Sequence, residues 1–532
     1  MYYIILVVIL TWPLVYNFQS SILGYLNVDA VDTIALHGMY FGKLTDSPPT
    51  VFWPHEFDVG SITPNVLDHL TMIPFMWIFD FPVADNLWWT TLLVLNGVAG
   101  HWLGKLIGKS ESAGFLAGSC IVMAEPLVRE ANLHHAPQSM VLFIPLYLGC
   151  LIHLQRNTTV KWAALSGICL AGVCLSYWYF GLFMVICTVP FLWKTQFRKI
   201  LVMYSVSAII CLPLLFSFLQ KSTIASVPPP VSHGESIVQA HGNNLLYMFN
   251  SSPADISNRL SLLLLTAALL GSAKHRYRYH FWFMALVGSI MIIGPTWNGY
   301  SMPFEWLGSL HPFLQRLHWP ERWGIVITTS LIALASATPR PLLFLLCIFV
   351  ENVFFSHNIP LQTTSMKSEM CLQQLAKVEG ALLQYPLKET DVNLSAFHHR
   401  IHGKPMVNPF ILPRSIKPPQ AWENWRKNSK AISALERGEI EPNTVQELKE
   451  HGIGAVYIDK TASSPLSDAQ INTLSYRLRK NLLSSGGKES DIGCALVWWL
   501  SDPPLTVDVL QNERTRHEAP EFPTLITPHW IE

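Results

Sequence analysis

The chain opens on a run of apolar residues and keeps returning to such runs until about residue 357, after which hydrophobic and polar positions alternate as in an ordinary soluble sequence. Apolar stretches near 2–20, 85–105, 112–127, 137–155, 161–177, 179–194, 199–220, 259–273, 279–295, 323–338 and 341–357 are each within or close to the roughly 17–25 residues that a helix needs to cross a bilayer. They predict about eleven transmembrane helices. The stretch 64–79 (PNVLDHLTMIPFMWIF) is also apolar but carries Asp68 and His69, and reads as a helix lying on the membrane or re-entering it. The first run lacks a basic n-region and an A-x-A cleavage site, so an uncleaved first helix is expected rather than a secretory signal.

Beyond residue 357 the pattern changes period. MCLQQLAKVEG reads as a helix before the strand ALLQYPL. NTVQELKEHGIGAVYIDK reads as a helix with a glycine C-cap followed by a buried strand, INTLSYRLRKNLL as an amphipathic helix and CALVWWL as a strand. The expected fold is therefore a polytopic α-helical membrane domain over 1–357 and a C-terminal extracytoplasmic α/β domain over 358–532.

Composition supports the split. Half of the 532 residues are hydrophobic and only 14% are charged, against about 25% in soluble domains. Basic and acidic residues balance at 36 each, which excludes a nucleic-acid binder driven by net charge. Sorted by position, the charges orient the chain. The short loops 105–111, 156–161, 194–199, 274–278 and 339–340 hold eleven basic residues and one acid, Glu111. The segments 21–84, 128–136, 221–258 and 296–322 hold few basic residues and most of the acids that precede residue 358, so the positive-inside rule places them outside, with the tail. The expected N-terminus is cytoplasmic.

The outer segments also hold the candidate chemistry. Asp29 and Asp32 are spaced i, i+3 in a short predicted helix, so they share a face. They fit a general base at the membrane edge, and equally a helix cap beside a solvated carboxylate. EPLVREANLHHAPQ holds Glu125, Arg129, Glu130, His134 and His135, and the His pair suits a phosphate, a metal or an interfacial position. HPFLQRLHWPERWG brings Arg316 and Arg322 to the outer start of a helix, where the dipole opposes a cation. An anionic partner such as a lipid phosphate, a salt bridge to Glu321 and an interfacial anchor all fit. Glu351 sits inside the last apolar run, as a functional carboxylate or a helix-to-helix hydrogen bond. His398, His399 and His402 read as a His-rich polar loop or a metal site, with no Cys or carboxylate at ligand spacing. Cys371 and Cys494 are the two tail cysteines, a disulfide or two buried thiols.

The order of these parts resembles the GT-C superfamily of membrane glycosyltransferases. The pieces that carry the resemblance are one helix followed by the Asp29/Asp32 loop, VFWPHEFD, DNLWWTTLLVLNGVAGHWLGKLIG, NLHHAPQSMVLFIPLYL, SYWYFGLF, RLHWPERWGIVI and GIGAVYIDK. The resemblance implies an enzyme of the cell envelope, in a bacterial inner membrane, that moves a sugar from a polyprenyl-phosphate-linked donor to an acceptor hydroxyl on the outer face. It implies Asp29 or Asp32 as catalytic base, Arg316, Arg322 and Arg129 as donor-phosphate ligands, and His134, His135 and Glu56 as substrate-binding residues. Members of the family can carry an adjacent acidic pair; here Ala30 and Val31 separate the two Asp, which leaves a divalent metal open as cofactor. A lipid or polysaccharide transporter or flippase, and a non-catalytic membrane assembly factor, are the competing classes. Transporters favour internal repeats and paired broken helices, and the two halves of this chain show no convincing repeat.

Overall fold

The structure, a computed structural model, describes residues 1–44, 65–157, 159–193, 195–221, 260–273, 275–294, 296–297, 300–310, 314, 320–356, 358–387, 394–407, 424, 427–437, 443–461, 464, 466–482 and 488–500. Glu56 and Arg316 lie outside these residues, as does the expected outer segment 222–258.

Every apolar run becomes helical, but not every run is one long helix. Ala136–Arg156 and Phe197–Leu214 are long and apolar enough to cross a membrane, and the bent pair Glu111–Val122 and Glu125–Asn132 adds a third if it is one span. The other apolar helices, such as Val160–Ser176, Leu262–Ser272 and Pro341–Phe355, are shorter. The expected eleven crossings are thus not matched by eleven full-length helices. Local chemistry explains the breaks. The first run divides at Thr11 into Tyr2–Leu10 and Trp12–Tyr16, because Pro13 offers no N–H to the preceding turn. Ala124 and Pro126 break the third run. The helices nevertheless turn large apolar side chains outward, among them Ile4, Ile9, Ile209, Phe216, Leu286, Leu346 and Phe354. A surface of this kind belongs in lipid.

Val83–Gly108 is the longest helix among the described residues. Gly100, Gly104 and Gly108 recur at four-residue spacing and let Glu111–Val122 approach closely. A Cβ at Gly104 would stand 2.4 Å from Ala117 Cβ, and one at Gly100 2.6 Å from Ile121 Cδ1. Toward its other end the same helix organises the connecting segments. Asn86 donates to Phe18 O (2.9 Å) and Ser21 O (2.7 Å) and accepts from Leu23 N (3.2 Å), while Asn96 donates to Ser139 O. Glu351 belongs to this class of structural contacts. Its carboxylate accepts from Ser261 Oγ (2.6 Å) and Leu262 N (3.1 Å), capping Leu262–Ser272.

The tail forms a four-stranded sheet in the order Ala381–Gln384, Ile453–Asp459, Ala495–Trp499, Lys488–Asp491. The first pair is parallel and the others antiparallel. The expected helix over MCLQQLAK is a 3-10 helix, Cys371–Lys377, after a single turn Lys367–Met370. Cys371 and Cys494 are joined as a disulfide. The histidines of FHHRIH correct the expected polar loop: they lie on the helix Leu394–His402 and are buried. Tyr457 Oη bonds His398, Lys404 O accepts from His399, and Lys404 N donates to His402. Burial lowers the pKa of His398 to about 3 and of His399 to about 4, so both are neutral core residues.

One face of the sheet is covered by tail helices, with Ile432, Leu448, Ile471 and Leu478 against Val456, Ile458 and Trp498. The other face is closed in part from outside the tail. Val31 and Ile34 of the helix Val28–Leu44 share a core with Phe397, Tyr457, Val497 and Trp499. The strand Ser21–Leu23 pairs antiparallel with Thr363–Ser365, and Gly24 sits at the crossing. Gly24 N donates to Gln362 O, Gly24 O accepts from Thr364 Oγ1, and Tyr25 N donates to Asn132 O, each at 2.7 Å.

Gly24 has φ +85°, and a Cβ there would stand 2.6 Å from Asn132 O. Gly24→Ala is expected to destabilise the fold by about 2 kcal/mol or more, from a strained φ and a backbone clash together. A lowered thermal midpoint of the detergent-solubilised chain is the readout; an unchanged midpoint contradicts the three-way crossing.

Candidate functional site

The ends of several helices converge on a carboxylate, Glu130. It lies on Glu125–Asn132, a helix started by Pro126 and turned toward the loops by the break at Ala124. His135 Nδ1 donates to Glu130 Oε2, and Arg129 Nη1 stands 3.5 Å from Glu130 Oε1. The other strand of the site is the 3-10 turn Pro320–Trp323, which places Glu321 and Arg322 beside Glu130. Trp323 anchors that turn by stacking on Phe183 at 3.8 Å between centroids. The Arg322 guanidinium lies over the rings of Tyr177 (4.9 Å) and Tyr179 (5.4 Å), a cation–π position. Glu130, Gln138, Phe180, Glu321, Arg322 and Ile325 line a small pocket.

The two carboxyls of this site are driven apart. Burial raises the Glu130 pKa, but His135, Arg129 and Arg322 outweigh it and hold it at about 2. Burial dominates at Glu321 and pushes it up to about 7, against the pull of Arg129. One carboxyl is therefore ionised at neutral pH and its neighbour is poised to exchange a proton. The guanidinium groups make the cluster suited to an anion. They disfavour a divalent cation at Glu130.

The expected residues divide by placement. Arg129, His135 and Arg322 come together around Glu130. Asp29 and Asp32 lie in the first turns of Val28–Leu44, as the i, i+3 spacing predicts, and Asp32 is half-buried. The segment entering that helix rests on the end of the Glu125–Asn132 helix through the Tyr25–Asn132 bond. Asn65 and Val66, ahead of the helix Leu67–Ile78, rest against the aromatic pair, with Val66 N donating to Leu175 O and Trp178 N to Asn65 Oδ1. His134 is turned inward. Its Nε2 accepts from Trp89 Nε1 (3.1 Å) and its Nδ1 bonds Leu23 O (2.9 Å), at φ +60°. Both ring nitrogens thus serve the fold, and a substrate has no open edge of that ring to meet. Glu125 ties the tail linker, bonding Ser356 Oγ at 2.7 Å and the Asn358 amide. Sequence reasoning treated Glu321 only as a salt-bridge partner and missed Tyr177 and Tyr179 as the bed of Arg322. The SYWYF string was the available signal. Among the described residues the one His/Asp group at metal-ligand spacing is elsewhere, at His37, Asp68 and His69.

No protein-family model and no curated protein sequence matches the chain. Solved structures do. The arabinofuranosyltransferase AftD from Mycobacteria matches 94% of this chain at 13% identity and a TM-score of 0.49. The chain spans about two fifths (41%) of AftD's length. The archaeal oligosaccharyltransferase AglB from Archaeoglobus fulgidus, in complex with an inhibitory peptide and a dolichol-phosphate, matches 95% of this chain and 74% of its own at 11% identity and a TM-score of 0.39. ArnT from Cupriavidus metallidurans, bound to undecaprenyl phosphate, matches 94% of this chain and 98% of its own, also at 11% identity and a TM-score of 0.39.

The split carboxyls give a pH signature. Glu321, with a folded pKa above its unfolded value, contributes stability that is complete below about pH 4.5 and is lost as pH rises through about 7. Glu130, with a depressed folded pKa, contributes stability above about pH 4.5 that is lost as pH falls toward about 2. Glu321→Gln is expected to flatten the thermal midpoint between pH 5 and 8 with little loss at pH 6. Glu130→Gln is expected to cost about 3 kcal/mol at pH 7, the scale of a broken buried pair. Thermal melts across pH check both; a Glu321→Gln profile as steep as that of the native chain refutes the assignment.

Proposed function

We propose that the protein is a membrane glycosyltransferase that moves a sugar from a polyprenyl-phosphate-linked donor to an acceptor hydroxyl on the outer face, with inversion. What supports the reading is the meeting of Arg129, His135 and Arg322 around Glu130, on the short helix whose last residue, Asn132, bonds Tyr25 just ahead of the Asp29/Asp32 helix. The cationic side suits a departing lipid phosphate. The acidic side suits an arriving hydroxyl.

The step balances as a direct displacement. Asp29 or Asp32 takes the proton of the acceptor hydroxyl as its oxygen attacks the anomeric carbon. The bond from that carbon to the phosphate oxygen breaks, and the electron pair leaves with the lipid phosphate. Arg322 and Arg129 balance the charge that develops there. The tail sheet holds the Asp helix from behind through Val31 and Ile34, so the base is carried on a packed element rather than a free loop.

The test is transfer from synthetic polyprenyl-phosphate sugars in membranes carrying the full chain. Asp29→Asn and Asp32→Asn are made singly and together, and one single variant or the double is expected to lose about 10²–10⁴-fold, the usual worth of a general base. Arg322→Ala is expected to lose about 10²–10³-fold. Full transfer by the double Asp variant refutes the mechanism. Movement of the lipid between leaflets without transfer refutes the transferase reading in favour of a flippase.

A further inference from the structure

On the helix that carries Asp29 and Asp32, His37 turns away from the tail core and toward the helix Leu67–Ile78, whose first turn presents Asp68 and His69. All three side chains are buried, at 1%, 0% and 2% exposure. His37 Nε2 stands 3.5 Å from Asp68 Oδ2, and His69 Nδ1 stands 3.4 Å from the same oxygen. One ligand atom from each residue lies within 4.8 Å of the others. Neither ring nitrogen of His37 and neither oxygen of Asp68 has a hydrogen-bond partner among the described residues.

A buried carboxylate in this state is costly unless something else satisfies it. The spacing says what. Both separations are too long for a hydrogen bond, for which N–H···O distances run about 2.7–3.2 Å. They match the edge of a tetrahedron around a zinc ion, where ligand distances of about 2.0–2.2 Å give donor-to-donor edges of roughly 3.3–3.6 Å. The donor set points the same way. Two imidazoles and one carboxylate suit Zn²⁺, whereas Ca²⁺ and Mg²⁺ take oxygen ligands throughout. The Trp88 ring stands 5.6 Å from that of His37, and the Trp88 indole is itself tied to Thr71 Oγ1 at 3.0 Å, so the group sits behind an aromatic wall.

We propose that His37, Asp68 and His69 bind a zinc ion that clamps the Asp-bearing helix to the helix Leu67–Ile78. The three protein ligands leave one tetrahedral position for water. The site is separate from the Arg129/Arg322 cluster, and the zinc reading stands whether or not the chain is a transferase. The ion crosslinks the two ends of the first outer loop. The base of that loop is then held on both sides: by the tail core at Val31 and Ile34, and by metal at His37.

The full chain is purified in detergent through a tag that contains no histidine, without chelator, and its metal content is measured by mass spectrometry. Roughly one zinc per chain is expected, the stoichiometry of a single site. His37→Ala and Asp68→Asn are each expected to lower that content at least tenfold, while Asp29→Asn leaves it unchanged. Monodisperse elution and an intact Cys371–Cys494 disulfide report that the variants fold. Because either variant can fail to fold, the native chain is also stripped with chelator and reloaded with Co²⁺ or Zn²⁺. Visible d–d absorption with Co²⁺, and a thermal midpoint that falls on stripping and recovers with Zn²⁺, are expected. A folded His37→Ala chain with native zinc content overturns the site. So does a native chain with no zinc, no Co²⁺ absorption and no response to chelator. Loss of transfer activity is not part of this readout, so the two readings fail separately.

Discussion

Much of the molecule depends on one apolar contact, the burial of Val31 and Ile34 against Tyr457, Val497 and Trp499. A four-stranded sheet with a covered and an uncovered face needs a second layer. Here the helix Leu394–His402 and the 3-10 helix Cys371–Lys377 supply part of that layer, and the helix Val28–Leu44, far earlier in the chain, adds Val31 and Ile34. The consequence is mechanical. The tail cannot drift from the membrane helices without exposing the inner face of its own sheet. The Ser21–Leu23 and Thr363–Ser365 pairing, the Asn132 bond to Gln362 N and the Glu125 bonds to the linker are the polar rivets around that contact. They converge on Gly24 and the end of one short helix, and that is where the candidate site begins.

The electrostatics of the site follow from the same convergence. The break at Ala124 turns Glu125–Asn132 so that Glu125 faces the linker while Glu130 faces the 3-10 turn Pro320–Trp323. A carboxylate left without partners in an apolar surrounding costs several kcal/mol. The bend instead gives each a partner set. Glu130 gains His135 and the arginines, while at Glu321, equally buried, burial outweighs the pull of Arg129. Two adjacent carboxyls with opposite shifts are a common way for a site to hold one fixed charge and one movable proton.

What was legible in the sequence follows from how local each signal is. Three of the four sheet strands, the helices Thr444–Glu450 and Asp468–Leu482, and the Asp29/Asp32 helix were readable from period and caps, because those signals lie within a few residues, whereas the polar edge strand Lys488–Asp491 carries no such pattern. The glycine C-cap expected after the tail helix is Gly452, at φ +75°. Positions of breaks inside apolar runs were less legible, since a hydropathy window averages over Thr11, Ala124 and Tyr177, where the chain leaves the helix. The buried His helix was misread because histidine count suggests polarity, whereas each ring there finds a backbone or hydroxyl partner that only the fold supplies. Asp68 and His69 were visible as polar residues in an apolar stretch. Their partner His37 lies 31 residues away, beyond any local pattern.

The charge balance of the site carries one further constraint on what it can accept. With Glu130 ionised and Arg129, Arg322 and His135 around it, the cluster is one charge more positive while Glu321 is protonated. An anion arriving near Arg322 repels a second negative charge and so raises the Glu321 pKa further above about 7. Anion binding and proton uptake at Glu321 are therefore linked in sign, and the reciprocal holds: deprotonating Glu321 at higher pH weakens the hold on the anion. A bound anion and a protonated Glu321 belong to one state of the cluster, and release of the anion frees the proton.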